Sequence, residues 1–165
     1  MPHIHKEYDY TISVFILHPN QAKVLLVKHK KLGKLMQVGG HIELNEDPWQ
    51  ALSHELLEEA GLIIQKCQLL LQPDQPRVVS KGHKTLPIPF HYEVHDLPPD
   101  GSHRHIDMSY ALKSYTDQIR PDIGESQEFE WVDQERLGKM NREGQVLGST
   151  CQIYSWLFAQ KSIWP

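Results

Sequence analysis

The chain has 165 residues, of which 39% are hydrophobic and 23% are charged, and its formal net charge is −4 with histidine counted as neutral. These values are typical of one globular domain over residues 1–165, and they argue against the basic surface with which proteins bind extended nucleic acid. The two cysteines, Cys67 and Cys151, and the lack of a signal-peptide core or an apolar run of membrane-spanning length predict a reduced, cytoplasmic protein that does not bind membranes.

The first predicted elements are β-strands. Residues 10–17 and 23–28 are rich in β-branched and aliphatic side chains, and the short turn between them predicts an antiparallel hairpin. Because both runs are almost continuously apolar, we expect the sheet to be covered on both faces. A short strand over residues 35–38 leads into Gly39 and Gly40, which either form a tight turn or allow a ligand to approach the backbone closely.

A basic loop covers residues 29–34, directly before this short strand. Lys30 and Lys31, with Lys28 just before the loop, are candidates for contacts with the phosphates of a ligand, because the loop leads straight to the glycine pair. The alternative is a solvated loop, which is the commoner role of such residues. The sequence of the loop does not decide between the two.

Residues 48–60 form the best-defined predicted helix. Asp47 is placed to cap its N-terminus, Pro48 suits the first helical position, and Gln50 completes a capping box. Gly61 is placed to end the helix in the left-handed conformation. At about 100° per residue, the apolar side chains of this helix form one stripe that can face a core: Trp49, Leu52, Leu56 and Ala60.

Glu55, Glu58 and Glu59 fall together on an adjoining arc of the same helix. Their like charges repel one another, and two of them lie in the last turn, where the helix dipole disfavours anions. Such an arc is either a solvated acidic face or the binding site of a divalent cation. A cluster of hard oxygen ligands suits Mg²⁺ or Mn²⁺.

After the helix, the sequence predicts shorter strands separated by a long loop. Residues 62–64 and 67–71 are apolar enough for strands. Residues 73–84 are rich in proline, glycine and charge and are predicted to be a loop, with residues 78–79 as a further candidate strand. Residues 87–94 are predicted to be extended, at an edge of the sheet where prolines are tolerated.

A turn at residues 97–101 precedes a predicted strand over residues 103–112. Alternation along this strand places four polar side chains on one side: His103, His105, Asp107 and Ser109. This row either lines a cleft or is the exposed side of a half-buried strand. His103, His105 and Asp107 could bind zinc, but a zinc site usually needs a further ligand, which the sequence does not identify.

The last part of the chain begins with an acidic loop over residues 123–128, which contains Glu125 and Glu128. A strand over residues 128–132 and a short helix starting at residues 133–137 follow. Residues 145–160 are predicted to form a terminal helix, with inward-facing side chains at Val146, Ile153, Trp156 and Leu157. Neither an internal repeat nor a second domain is visible.

The glycine pair and the helix together carry a long spaced pattern: Gly40, five residues, Glu46, seven residues, His54-Glu55-Leu56, one residue, Glu58-Glu59, one residue, Gly61-Leu62. This pattern resembles the Nudix box. It departs from the box at His54, where the family usually has an arginine that helps to orient the box carboxylates. One Nudix subgroup is also similar in the loop before the glycine pair, in the histidine after it, and in a downstream His-x-His-x-Asp strand, so the resemblance covers residues 10–131.

The resemblance implies an α/β fold, an α/β/α sandwich around a mixed β-sheet, and a metal-dependent pyrophosphohydrolase. The substrate would be a nucleoside diphosphate linked to another moiety, as in a nucleotide sugar or a nucleoside triphosphate. The box would hold Mg²⁺, or Mn²⁺, through the main chain of Gly40 and the side chains of Glu55, Glu58 and Glu59. The implied catalytic residues are Glu46, which orients the site, Glu55, Glu58 and Glu128, with Glu58 or Glu128 as the base and Glu125 as the alternative to Glu128. We expect the substrate contacts to come from Lys30, Lys31, His41, His105 and Asp107.

A second interpretation is a catalytically weak Nudix-fold module that binds nucleotides. His54 favours it, because histidine is shorter than arginine and is charged only part of the time near neutral pH. In both interpretations the partner is a small nucleotide, and the protein is a monomer or a homodimer.

Overall fold

A computed structural model describes residues 7–97 and 103–165, so most of the predicted turn at residues 97–101 lies outside the described residues. The described residues contain eight strands: β1 (Tyr8–Leu17), β2 (Val24–Lys28), β3 (Leu35–Met36), β4 (Val38–His41), β5 (Gln68–Leu69), β6 (His91–Asp96), β7 (Arg104–Lys113) and β8 (Phe129–Val132). They also contain three α-helices: α1 (Pro48–Ala60), α2 (Gln134–Arg142) and α3 (Gly148–Phe158). None of the helices among these residues has the length and apolar character needed to cross a membrane.

The strands form one mixed sheet. Five of them follow the order β3-β2-β1-β7-β5, while β4 pairs with β1, β6 with β7 and β8 with β2. β1 and β7 run parallel along their whole paired length, and the other pairs are antiparallel. The predicted hairpin is confirmed, with Leu17 of β1 opposite Val24 of β2.

Both faces of the sheet are covered, each by different helices. Ile12, Val14 and Ile16 of β1 pack in the core under α1. Phe15 and Leu17 of the same strand pack in a second core with α2 and α3. Successive side chains of a strand point to opposite faces, so a strand buried on both faces must be apolar at nearly every position. The α/β/α sandwich around a mixed sheet is therefore confirmed.

Helix α1 begins and ends at the predicted residues. The Asp47 side chain accepts hydrogen bonds from the backbone N–H groups of Trp49 and Gln50, and the Gln50 side chain accepts one from the backbone N–H of Asp47. A cap of this kind stabilises a helix by about 1 kcal/mol. Gly61 ends the helix at φ 67°, and a Cβ atom there would collide with the carbonyl oxygen of Arg120. The predicted apolar stripe faces the core: Leu52, Leu56 and Ala60 are buried, and Trp49 packs beside them.

The strands predicted directly after α1 are largely wrong. Residues 64–66 form a 3₁₀ turn, and within residues 67–71 the strand β5, paired with β7, covers only Gln68 and Leu69. The apolar side chains of Leu62 and Ile64 are buried in the core under α1 without forming a strand. The chain then leaves the extended conformation at Leu71, whose φ is 55°.

Three smaller expectations also differ from the structure. Residues 78–79 do not form a strand. The predicted extended segment at residues 87–94 becomes a strand only at His91, after the last proline, because proline lacks the N–H group that pairs with a neighbouring strand. Trp156 points outward and is 49% exposed, whereas Leu157 is buried as predicted.

Candidate active site

The C-terminal half of α1 lies against the glycine pair of β4. Glu59 Oε2 accepts a hydrogen bond of 3.0 Å from the backbone N–H of Gly39. The Glu55 side chain fills the space in front of Gly40, where a Cβ atom would collide with its carboxylate. Two of the three predicted metal-binding carboxylates are therefore held against the backbone of β4, and a residue larger than glycine at position 40 would displace one of them.

These two carboxylates are hard to ionise where they lie. Burial is the main cause that raises the pKa of Glu55 to about 7, and the negative charges of Glu58 and Glu125 raise it further. Burial also raises the pKa of Glu59 to about 7, against the opposing effect of the hydrogen bond from Gly39. Buried, mutually repelling carboxylates are stabilised in their charged form by a nearby cation. The donors are all oxygen atoms, so the set fits a hard divalent cation such as Mg²⁺ or Mn²⁺.

His54 lies between two other carboxylates of the box. Its Nε2 atom is 2.9 Å from Glu58 Oε1, and its Nδ1 atom is 3.3 Å from Glu46 Oε1. The hydrogen bond with Glu58 is the main cause that raises the pKa of His54, so the ring is more often charged than a free histidine. The second oxygen of Glu46 is shielded from solvent and has no hydrogen-bond partner among the described residues. His54 thus contacts the carboxylates that the family's arginine would be expected to orient.

The acidic loop before β8 brings Glu125 towards the box and directs Glu128 away from it. The charge of Glu125 raises the pKa of both Glu55 and Glu59, whereas Glu128 is not among the groups that shift either one. Glu128 instead forms an ion pair of 2.8 Å with Lys28. We therefore propose Glu125 in place of Glu128, which the sequence slightly favoured. Sequence alone did not reveal this, because it depends on how β8 pairs with β2.

Lys30 lies beside the same loop. Its ammonium group donates a hydrogen bond to the carbonyl oxygen of Gly124 and is 3.7 Å from Glu125 Oε2. Its charge also lowers the pKa of Glu59, which brings it into the electrostatic environment of the box. Lys31 is exposed, and its charge acts on His29 rather than on the box carboxylates. Contact of either lysine with a phosphate stays a prediction.

The remaining predicted substrate contacts lie on the opposite face of the sheet. Gly40 faces α1, so the next residue, His41, points to the other side. Strand register places His41 opposite Thr11, and Thr11 opposite Asp107, so these side chains share that face. His105 precedes Asp107 by two residues and lies on the same side. The structure does not bring these residues together with the box carboxylates, and their contact with substrate stays a prediction.

On this second face, Asp107 is engaged in hydrogen bonds and His105 is neutral near pH 7. Asp107 is buried and accepts hydrogen bonds from three hydroxyl groups, those of Thr11, Ser13 and Ser109, at 2.8, 3.0 and 2.9 Å. Burial raises the pKa of Asp107 despite these bonds. Burial, followed by the charges of neighbouring histidines, lowers the pKa of His105 to about 4. His105 is therefore a neutral imidazole near pH 7.

Neither of two cavities in the structure lies at the box carboxylates. One, of about 550 Å³, is lined by residues that include Asp133, Phe158 and Trp164, between the start of α2 and the C-terminal segment. A second, of about 250 Å³, lies between Phe90 of the segment before β6 and Trp156 of α3. The first is lined by the carboxylates of Asp133 and Glu135 but by none of the box glutamates, and the second is lined by no carboxylate. The cluster at β4 therefore remains the candidate active site.

Comparison with known proteins shows which domain and which solved structures the chain is similar to. The model of the NUDIX domain matches residues 7–148. A search of curated proteins found no match. Among solved structures, a NUDIX-family hydrolase from Clostridium perfringens is 30% identical to the chain, with a TM-score of 0.72 over 94% of this chain and 98% of that one.

Two further solved structures share the fold at lower identity. The Ap4A hydrolase of C. elegans is 18% identical, with a TM-score of 0.61 over 92% of this chain and 98% of that one. The dihydroneopterin triphosphate pyrophosphohydrolase of E. coli is 16% identical, with a TM-score of 0.64 over 93% of this chain and 99% of that one. At these identities the similarity concerns the fold alone.

Proposed function

The chain belongs to the NUDIX domain family, whose hydrolases act on phosphorus-containing anhydrides, and we propose that it is a metal-dependent pyrophosphohydrolase acting on a nucleoside diphosphate linked to another moiety. One observation carries the proposal. Glu55 and Glu59 are held against Gly40 and Gly39 in a partly buried cluster, and the pKa of each is raised to about 7. A cluster of this kind gains most from a divalent cation.

Four oxygen donors would hold the cation: the main-chain carbonyl of Gly40 and the carboxylates of Glu55, Glu58 and Glu59. Mg²⁺ is our first choice, and Mn²⁺ takes the same ligands. When bound, such an ion neutralises charge on the diphosphate and lowers the pKa of a coordinated water. Gly39 fixes Glu59 by its backbone N–H, so that this carboxylate is already oriented before any ligand arrives.

The other box residues position the reaction and move its proton. Glu58, half exposed and hydrogen-bonded to His54, is one candidate for the base that takes the proton of the attacking water. Glu125 is the other candidate, since its charge raises the pKa of both Glu55 and Glu59. Glu46 and His54 form a chain of contacts that orients Glu58. Lys30, which lies beside Glu125 on the loop side of the cluster, would meet the negative charge of a substrate phosphate.

The substrate class follows from the family resemblance and from the charge of the site. A chain with a net charge of −4 and an acidic cluster needs a bound cation to attract a polyanionic diphosphate. Nucleotide sugars and nucleoside triphosphates both present such a group. We propose these two classes as the substrates, with the protein acting in the cytoplasm as a monomer or a homodimer.

A nucleotide panel tests the proposal. Purified protein is incubated with nucleotide sugars, nucleoside triphosphates and dinucleoside polyphosphates, with Mg²⁺ or with EDTA, and the products are identified by mass. We expect at least one class to be cleaved at the diphosphate with Mg²⁺ and none with EDTA.

Matched variants connect the activity to the site. Glu59→Gln is expected to lower turnover by orders of magnitude while the protein stays folded, because the amide cannot carry the charge that the cation needs. Glu135→Gln, on α2 and away from the box, is the control and should keep full activity. Tight nucleotide binding without turnover across the panel would contradict the hydrolase and support the nucleotide-binding module.

A further inference from the structure

Four imidazole rings meet on the face of the sheet opposite α1. The ring centroids of His41, His95 and His103 lie 4.9, 5.3 and 5.8 Å from that of His105, and all three rings meet it edge-on. Strand register explains the cluster, because Asp9 of β1 and His95 of β6 both lie directly opposite His105 of β7. Side chains from three strands, β1, β4 and β6, are thus gathered around the ring of His105 on β7.

Three of these side chains offer donor atoms for a single ion. One carboxylate oxygen of Asp9 and one ring nitrogen from each of His41 and His105 all lie within 4.8 Å of one another. Asp9 Oδ2 is 3.6 Å from His41 Nε2. Ligands of one tetrahedral zinc ion lie roughly 3.5 Å apart, so small side-chain rotations would complete the set. Two imidazoles and a carboxylate are the protein ligands of known zinc sites that keep a fourth position open.

An unpaired nitrogen at the centre of the cluster is a second, independent observation. His105 Nε2 is shielded from solvent, yet no described residue forms a hydrogen bond with it. A buried polar atom without a partner is unfavourable and needs an explanation. Coordination of a metal by the lone pair of a neutral imidazole would supply the missing partner.

The cluster in the structure differs from the zinc ligands considered from the sequence, which were His103, His105 and Asp107. Asp107 is engaged with three hydroxyl groups and is not the carboxylate that meets the histidines. Asp9 takes that place from the neighbouring strand. His103 Nε2 is 2.8 Å from Asp9 Oδ2, so His103 orients the carboxylate from outside rather than binding the ion itself. His41, contributed by β4, is the further ligand that the sequence did not identify.

We propose that Asp9, His41 and His105 bind one Zn²⁺ ion and leave its fourth position open. The nitrogen-rich set selects zinc over Mg²⁺, which prefers oxygen ligands, so this site differs in chemistry from the box on the other face. The His41 side chain is 53% exposed, which gives the ion and a further ligand a route from solvent. A small molecule bound at this site would then contact the zinc ion rather than the side chains of His41 and His105. The proposal does not depend on the proposed hydrolysis.

Zinc titration of the full-length protein tests the site. Protein stripped of metal is titrated with Zn²⁺ in the presence of excess Mg²⁺, and binding is followed by competition with a chromogenic chelator. We expect one tightly bound Zn²⁺ per chain that Mg²⁺ does not displace. Substitution with Co²⁺ should give the intense visible absorption of a tetrahedral ion.

Variants on each face identify the ligands. His41→Ala changes an exposed side chain, so the fold should survive, and we expect the affinity for Zn²⁺ to fall at least about tenfold. Asp9→Asn should have the same effect. His83→Ala, an exposed histidine in a loop, and Glu59→Gln, in the box, are the controls and should bind zinc as the wild type does. Absence of stoichiometric zinc, or loss of zinc in Glu59→Gln but not in His41→Ala, would overturn the proposal.

Discussion

His54 stands where the Nudix box usually has arginine, and its two ring nitrogens contact Glu58 and Glu46. The charged ring can donate to both carboxylates at once, whereas the neutral ring can donate to only one. The pKa of His54 is raised by its partners, mainly Glu58, so the charged form persists to a higher pH than in a free histidine and is lost as the pH rises through that raised pKa. We therefore propose that His54 performs the role of the arginine over a limited pH range.

His54→Arg tests this role. Because arginine stays charged at all accessible pH values, we expect the ratio of the variant's kcat to that of the wild type to grow as the pH rises. His54→Ala should lower kcat by about 10- to 100-fold, the usual effect of removing an orienting partner. The measurement is kcat across a pH series with Mg²⁺ in excess. A ratio between His54→Arg and wild type that is constant with pH would contradict the role.

Glu125 and Glu128 form a second comparison between single residues. The charge of Glu125 raises the pKa of both buried box carboxylates, whereas Glu128 forms an ion pair with Lys28. We expect Glu125→Gln to lower kcat or to raise the Mg²⁺ concentration needed for half-maximal rate, and Glu128→Gln to change neither by more than a few-fold. Steady-state rates against Mg²⁺ concentration make the comparison, with each variant serving as the other's control. A larger effect of Glu128→Gln would restore the preference drawn from the sequence.

At the scale of the element, α1 carries most of what the sequence could predict. Its signals are local: Asp47, Pro48 and Gly61 mark its ends, and the spacing of its glutamates fixes their common arc. The segment at residues 62–71 lacks such signals. Its apolar residues are buried in the core under α1, and in the sequence they look the same as the apolar residues of a strand. The position of Glu125 beside the box and that of Asp9 in the histidine cluster depend on pairing between strands far apart in the chain. No local pattern specifies that pairing.

The buried glutamates of α1 also make its stability depend on pH. The pKa of Glu55 and that of Glu59 rise from the ordinary value of 4.5 to about 7 on folding. Between these pH values the folded state binds more protons than the unfolded state. In the metal-free protein, these two groups therefore contribute less and less to the free energy of unfolding as the pH rises from 4.5 to about 7. A cation that binds the ionised carboxylates should offset this loss, and the increase in Tm on adding Mg²⁺ should be larger at higher pH.

Thermal unfolding in EDTA and in Mg²⁺, at about pH 5 and about pH 8, measures this dependence. The double variant Glu55→Gln, Glu59→Gln lacks both titrating groups and should show a flatter pH dependence and a smaller response to Mg²⁺. Equal pH dependence in the wild type and the double variant would show that these carboxylates are not buried as described.

At the scale of the whole molecule, one sheet separates two polar sites of different chemistry. The alternation of β1 and β4 sends Gly40 towards the carboxylates of α1 and sends Asp9 and His41 towards the opposite face. The proposed metal ligands on the side of α1 are all oxygen atoms, whereas those on the other side are two imidazole nitrogens and one carboxylate oxygen. The two sites should therefore respond to different ions.

A crystal structure with Mn²⁺ and a nonhydrolysable nucleoside diphosphate analogue, with the ion located by its anomalous scattering, tests the central claim most directly. We expect the ion to be coordinated by Glu55, Glu58 and Glu59 and by the main-chain carbonyl of Gly40, with the diphosphate beside it. Carboxylates of α1 surrounded only by water, with the ion and the nucleotide bound elsewhere on the protein, would contradict it.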